Sequence, residues 1–255
     1  MSAPRRVIEA ALVPVKLPIA GRMGDRLSRR GTDETATAAG RSGLVLAPHP
    51  DDETLGCGAT IMRKVEAGTA VTVVVVSDGA TWPPEHPPEQ NIAVRHAELE
   101  ASCRILGLPE QRLRHWSFPE THLDEAGDEL VDAVADVVRA ERPDDVFVTS
   151  AADPHADHAA LGRATRRALA GTTARILAYP IWQWTRPRTW TRTVEAASAA
   201  VTVRTDGYLE RKDRAMAVFH SQMSAAAGGD QIEGLTPQFL GHFLGPREMF
   251  FPLGR

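Results

Sequence analysis

The sequence predicts an α/β protein, a Rossmann-like three-layer sandwich built on a mostly parallel sheet. Three observations lead there. Short apolar runs without polar alternation recur along the chain, as strands buried on both faces require. Stretches with apolar residues at helical spacing lie between them. Strand and helix patterns also alternate in order, the mark of βαβ units joined by right-handed crossovers.

Taken in order, residues 1–42 show little periodicity, with room for one short helix between Ala3 and Ala20. Arg22 to Arg41 is polar and rich in Gly and Thr, which reads as linker or loosely docked arm. Residues 1–42 are therefore expected to form an N-terminal extension, and residues 43–255 a single domain. Strands are expected at Leu44–Pro48, Ala70–Val76 with its five valines, Asp145–Thr149, Arg175–Tyr179 and Val201–Val203, with a weaker one at Arg114–Phe118. Ile92, Leu99, Cys103 and Leu106 share one helical face. So do Leu130, Val134, Val137 and Val138, with Pro143 as the stop. Leu161, Ala164, Ala168 and Leu169 follow, and then Leu209, Lys212, Met216 and Phe219.

Composition narrows the function classes. A chain of 255 residues, 43% hydrophobic and 24% charged, fits one large globular domain. The net charge of -4 argues against general binding to nucleic acid or anionic membranes. No apolar run approaches the roughly 20 residues of a membrane span. Two cysteines, Cys57 and Cys103, build no disulfide framework, and the apolar stretch near the N-terminus is broken by Pro14, Lys16 and Pro18. A reducing cytoplasm is the expected compartment. Twenty-six arginines against three lysines, with abundant Ala, point to genomic base composition rather than function.

Ligands in such folds bind beyond the carboxyl ends of the strands. The first strong strand ends there in His49-Pro50-Asp51-Asp52-Glu53. Three consecutive carboxylates at a sheet end repel one another and resist desolvation, a penalty that a bound cation removes. A solvated acidic turn would explain the acids alone; His49, on a rigid Pro-His-Pro segment, shifts the balance toward metal. The Asp145–Thr149 strand is followed by Asp153-Pro154-His155-Ala156-Asp157-His158. Helix capping and surface histidines account for either cluster singly. Two such clusters on one rim of a parallel sheet are expected to share a mononuclear site: a His and an Asp from the first turn and a His from the second, leaving an open position for water, as catalytic zinc requires. Spacing by itself leaves Asp51 or Asp52, and His155 or His158, equally eligible.

Further pieces surround these clusters: Ser77-Asp78-Gly79 after the second strand, Arg95-His96-Ala97-Glu98-Leu99-Glu100 ahead of Leu106-Gly107, and Tyr208-Leu209-Glu210-Arg211-Lys212 leading into His220-Ser221-Gln222. With them the chain resembles, over about residues 43–222, the N-acetylglucosaminyl deacetylases of the PIG-L/LmbE-like family. The resemblance implies hydrolysis of an N-acetyl group on a GlcNAc-type sugar conjugate by a metal-activated water. It implies His49, Asp52 and His158 as ligands of zinc, with ferrous iron as the alternative ion, and Asp51 as general base. It implies that His155 stabilises the oxyanion or protonates the leaving amine, with Asp157 orienting it, and that Arg95 helps hold the sugar. Two departures stand out. Ala156 replaces a proline common in the family, and Asp153 stands where some members place a tyrosine that contacts the oxyanion. A carboxylate cannot donate there, so the metal and a cationic His155 are expected to carry that charge alone.

Sugars bind through aromatic faces and polar edges. Trp82 follows the Ser-Asp-Gly loop, and Trp182, Trp184 and Trp190 follow the Tyr179 strand. Trp82, Trp182 and Trp184 are expected at the substrate, against the alternative that they anchor loops. The family match adds His220. The remaining histidines, His86, His96, His115, His122 and His242, fall in no ligand pattern. The expected partner is a small amino-sugar conjugate, with no nucleic acid and no membrane span; a homo-oligomer is compatible with this. Rival readings are a non-haem iron oxygenase using His49, Asp51 and a distant His as a facial triad, a nucleotide binder, and a carbohydrate-binding pseudoenzyme. The βα alternation opposes the first. Ile61 at the third glycine position opposes the second. The complete residue set opposes the third.

Overall fold

The computed structural model describes residues 13–196, 199–223 and 234–253. Its strands are β1 (Thr32–Asp33), β2 (Gly43–Ala47), β3 (Val71–Ser77), β4 (Leu113–Phe118), β5 (Asp145–Thr149), β6 (Arg175–Tyr179), β7 (Val201–Arg204) and β8 (Arg247–Leu253). Its helices are α1 (Val13–Arg30), α2 (Thr35–Gly40), α3 (Asp52–Glu66), α4 (Pro88–Leu106), α5 (Gly127–Glu141), α6 (Ala156–Ala168), α7 (Pro187–Ala196), α8 (Leu209–Met216) and α9 (Pro237–Leu240).

One sheet runs β1-β7-β8-β6-β5-β2-β3-β4. Strands β4, β3, β2, β5 and β6 pair in parallel, while β8 is antiparallel to both β6 and β7. The chain leaves β2 toward β3 on one side and later returns to place β5 on the other. That reversal opens a crevice at the carboxyl ends of β2 and β5, where ligands bind in open α/β sheets. β2, β3 and β5 are buried along their whole length, which is why their sequences show continuous apolar runs. β4 reads more weakly because it is an edge strand with β3 as its neighbour. Helices α3, α4 and α8 pack against one another, and α5 packs against α6, giving the two outer layers.

The structure departs from the sequence reading in three places. Residues 22–41 are not an irregular linker: they carry the end of α1, strand β1 and helix α2. α1 docks on the segment after β6 because Gly24 has no side chain; a Cβ there would collide with the Trp184 ring. The earlier part of the proposed Ala3–Ala20 helix lies outside the described residues. β8, Arg247–Leu253, and helix α7 were not foreseen, since β8 acquires its strand partners only from chain far away in sequence.

A buried ion pair ties β8 to the helices. The Glu248 carboxylate accepts the backbone N–H groups of Ala59 and Thr60 at 2.7 and 2.8 Å and the Lys212 ammonium at 2.7 Å. Lys212 Nζ also donates to Leu55 O at 2.8 Å. The carboxylate thus holds the middle of α3, whose first turn carries the acidic residues of the site.

Candidate metal centre

The turn after β2 and the segment after β5 lie side by side because β2 and β5 pair in register, Gly43 with Asp145 and Val45 with Phe147. This pairing brings His49, Asp52 and His158 together, all buried. His49 Nδ1 lies 3.1 Å from His158 Nε2. Asp52 Oδ2 lies 3.4 Å from His49 Nδ1 and 3.3 Å from His158 Nε2. Donors bonded at about 2.0–2.2 Å to a tetrahedral ion stand about 3.3–3.6 Å apart; two edges of this triangle fall in that range, and the His49–His158 edge, at 3.1 Å, is slightly shorter. The group His49, His155 and His158 is looser, with donor atoms spread over as much as 4.8 Å. The donor set and its spacing therefore suit a tetrahedral divalent ion better at His49, Asp52 and His158 than at the three imidazoles, with His155 beside them.

The far nitrogens of both imidazoles face carboxylates. His49 Nε2 meets Asp157 Oδ2 at 3.0 Å. His158 Nδ1 has Asp153 Oδ1 at 3.6 Å, an ion-pair distance too long for a hydrogen bond. A carboxylate behind a ligating imidazole fixes the ring and makes the other nitrogen more basic. Asp157 was expected to orient His155; its carboxylate instead serves His49 and accepts the N–H groups of Thr121 (2.7 Å) and Leu123 (3.2 Å). Only its backbone N–H reaches His155, at Nδ1 and 3.3 Å. Asp153, the residue in the tyrosine position, lies behind His158 and accepts the N–H groups of His155 and Trp182.

Asp51 precedes α3 with φ of 139°, a conformation that non-glycine residues avoid. Such strain costs about 1–3 kcal/mol and persists only where the surroundings enforce it. Here Glu53 Oε2 accepts the Asp51 N–H at 3.1 Å, and Asp51 O receives the N–H groups of Thr54 and Leu55. The Arg95 guanidinium donates to Pro50 O at 3.3 Å and stands 3.9 Å from Asp51 Oδ2.

The electrostatics follow from burial beside so many acids. Burial pushes the His49 and His158 pKa values down. The carboxylates of Asp157 and Asp52 more than reverse this for His49, to about 9, and those of Asp52 and Asp153 do so for His158, to about 10. The cluster thus draws positive charge strongly. Asp52 stays well below the usual carboxylate range: burial raises it, but the two imidazoliums outweigh that. Burial, then the Asp52 charge, raise Asp51 well above its ordinary value. His155 is held neutral, at about 3, by burial and by its charged imidazole neighbours. With Nδ1 accepting from Asp157 N–H, the neutral ring carries its proton on Nε2.

Several expected substrate contacts fall elsewhere. Arg95 is only 2% exposed; its Nη1 donates to Glu120 Oε1 at 2.6 Å, so it braces the acidic turn from behind rather than facing a sugar. Trp184 is core: it stacks on His242 with centroids 4.9 Å apart and meets Trp190 edge-on, under α1. Trp182 is half-buried, its ring stacks on Phe239, and its backbone N–H donates to Asp153 beside the second cluster. Trp82 is half-buried in the loop that Thr81 ties to Glu120. His220 is exposed, and the adjacent Ser221 is bound to Glu98 of α4; among the described residues, no hydrogen bond or ring contact joins His220 to the cluster.

Glu120 was missed. It follows β4, so its place beyond a parallel strand was the available signal. Burial would raise its pKa, but Arg95, then His49 and Thr81, bring it to about 2. A depressed folded-state value gives stability that is complete above the unfolded pKa near 4.5 and lost as pH falls toward 2, worth roughly 3 kcal/mol if wholly realised. Denaturant melts of wild type and Glu120→Gln between pH 6 and 2.5 are expected to show a shallower acid loss in the variant; parallel curves would remove Glu120 from the acid response.

Residues 44–169 match the PIG-L family, described as GlcNAc-PI de-N-acetylase. The uncharacterized deacetylase YaiS of Escherichia coli is 30% identical over 152 residues, 58% of this chain and 75% of that protein. The chain belongs to the PIG-L family. Another relative is the 1D-myo-inositol 2-acetamido-2-deoxy-alpha-D-glucopyranoside deacetylase of Thermobispora bispora, 33% identical over 161 residues, 51% of this chain and 52% of that one. The chain thus spans three quarters of the first relative and about half of the second. The N,N'-diacetylchitobiose deacetylase structure from Pyrococcus horikoshii shares the fold, with a TM-score of 0.59, 23% identity and 72% of each chain covered. Among the described residues, no helix of this PIG-L member is long and apolar enough to cross a membrane.

Proposed function

We propose that this protein removes the N-acetyl group from a GlcNAc-type sugar conjugate, using a divalent metal, zinc by preference, held by His49, Asp52 and His158. The observation that carries this is the donor triangle with edges of 3.1, 3.3 and 3.4 Å. The family membership and the deacetylase relatives support the substrate class. Trp82 and Trp182 are the aromatic surfaces we assign to the sugar. The free, buried Cys57 and Cys103 suit a reducing cytoplasm.

When bound there, zinc would lower the pKa of water in its open position to about 7 and polarise an acyl carbonyl. Asp51 is left out of the triangle, and its buried carboxylate holds a proton more readily than an ordinary aspartate. It takes the proton released by the attacking water and hands it to the departing amine. His155, neutral and protonated at Nε2, donates to the oxygen that becomes negative. Asp157 holds the His49 ring in place throughout, and Glu53 and Arg95 keep the Asp51 backbone in its strained turn.

Amine release from N-acetylglucosaminides should be abolished by a chelator and restored by zinc. Binding of the sugar without acetate release would instead indicate a pseudoenzyme. Metal affinity should depend on pH, because His49 and His158 must shed protons held up to about 9 and 10. Below pH 9 the zinc association constant is expected to rise with pH by about 10- to 100-fold per unit. A flat profile in competition titrations between pH 6 and 9 would exclude the two imidazoles as ligands.

A further inference from the structure

A second pair of histidines lies outside this centre. His96 is on α4 and His115 is on the edge strand β4. The preceding Arg114 reaches Glu141 of α5 on one face of the sheet, so alternation turns His115 toward the face covered by α4. The two rings meet with centroids 4.3 Å apart and planes inclined at 52°. His96 Nε2 and His115 Nδ1 are both shielded from water, and neither has a hydrogen-bond partner. Two orphaned ring nitrogens on touching imidazoles are costly unless something satisfies both. Protonation is a poor remedy: burial lowers both pKa values, and the rings oppose each other's charge. Neutral rings with unused lone pairs are metal ligands.

A third donor is at hand. Glu100 sits one helical turn beyond His96, on the same side of α4, and is exposed, so its carboxylate is free to swing. Of the charged neighbours, Glu100 favours positive charge at both rings and Asp78 does so at His96, while Arg95 opposes it. Arg95 is already engaged by Glu120.

Imidazole nitrogen is a favoured ligand of Cu(II) and Ni(II), which lead the divalent affinity series for such donors. We propose that His96, His115 and Glu100 form a second metal site, taking Cu(II) or Ni(II) and stapling α4 to the edge strand.

The test uses the full-length, zinc-loaded protein titrated with Ni2+ in a calorimeter. One further equivalent should bind to wild type. His96→Gln and His115→Asn should each weaken it at least tenfold, Glu100→Gln less, with zinc content and basal turnover unchanged. Wild type alone gives an independent reading: Cu2+ added to the zinc-loaded protein should show a spin-resonance signal split by two nitrogens, and Ni2+ should raise Tm. No second equivalent in wild type, or one that survives in the His96→Gln/His115→Asn double variant, overturns the site. These readouts do not depend on the deacetylase chemistry.

Discussion

Replacing Asp51 by Asn is expected to leave bound zinc at the wild-type level while turnover falls by about 10²–10⁴, the usual contribution of a positioned general base. His158→Ala, in contrast, should lose both. The two residues differ by geometry. His158 Nε2 is a corner of the donor triangle, 3.1 Å from His49 Nδ1, whereas Asp51 approaches Arg95 rather than the triangle. Asn is the informative replacement because it is isosteric with Asp and tolerates positive φ better than most other non-glycine residues, so the strained turn at 139° survives and only the proton chemistry changes. Metal analysis with steady-state rates on both variants decides it. Loss of zinc in Asp51→Asn would transfer the ligand role from Asp52 to Asp51.

Glu248→Leu should cost about 3–5 kcal/mol, because removing one partner of a buried pair leaves the other charge uncompensated. Lys212 is 1% exposed and is left with Leu55 O as its remaining acceptor, while the Ala59 and Thr60 N–H groups lose theirs. For a chain of this size, that is a fall in Tm of roughly 6–20 °C. The double variant Lys212→Met/Glu248→Leu should recover much of it, since an apolar pair of similar volume carries no desolvation penalty. A single variant that melts with wild type would show that the pair contributes nothing to holding α3.

Much of the site was legible before any coordinates. His49 through Glu53 and Asp153 through His158 announce themselves because acids and imidazoles gathered after buried strands need a reason to be there. What could not be read was direction. Asp157 was assigned to the neighbouring imidazole and serves His49, 108 positions away. Arg95 and Trp184 looked like surface for a sugar and are interior, one bracing the acidic turn and the other buried under α1. Both have one cause: a long side chain has no stated side until the segment carrying it is packed.

The amino-acid sequence by itself determined the α/β layering, the parallel core and the two chemical clusters, since apolar periodicity and turn chemistry act over a few residues. Only the tertiary structure decided which carboxylate joins which imidazoles, how β8 enters the sheet, that residues 13–40 pack as helices and an edge strand, and that His96 meets His115. Those outcomes depend on contacts of about 3–4 Å between segments far apart in the chain. Such contacts are set by the register of β2 against β5 and by the seating of α4 on β4, sums over the whole packed sheet that no local pattern contains.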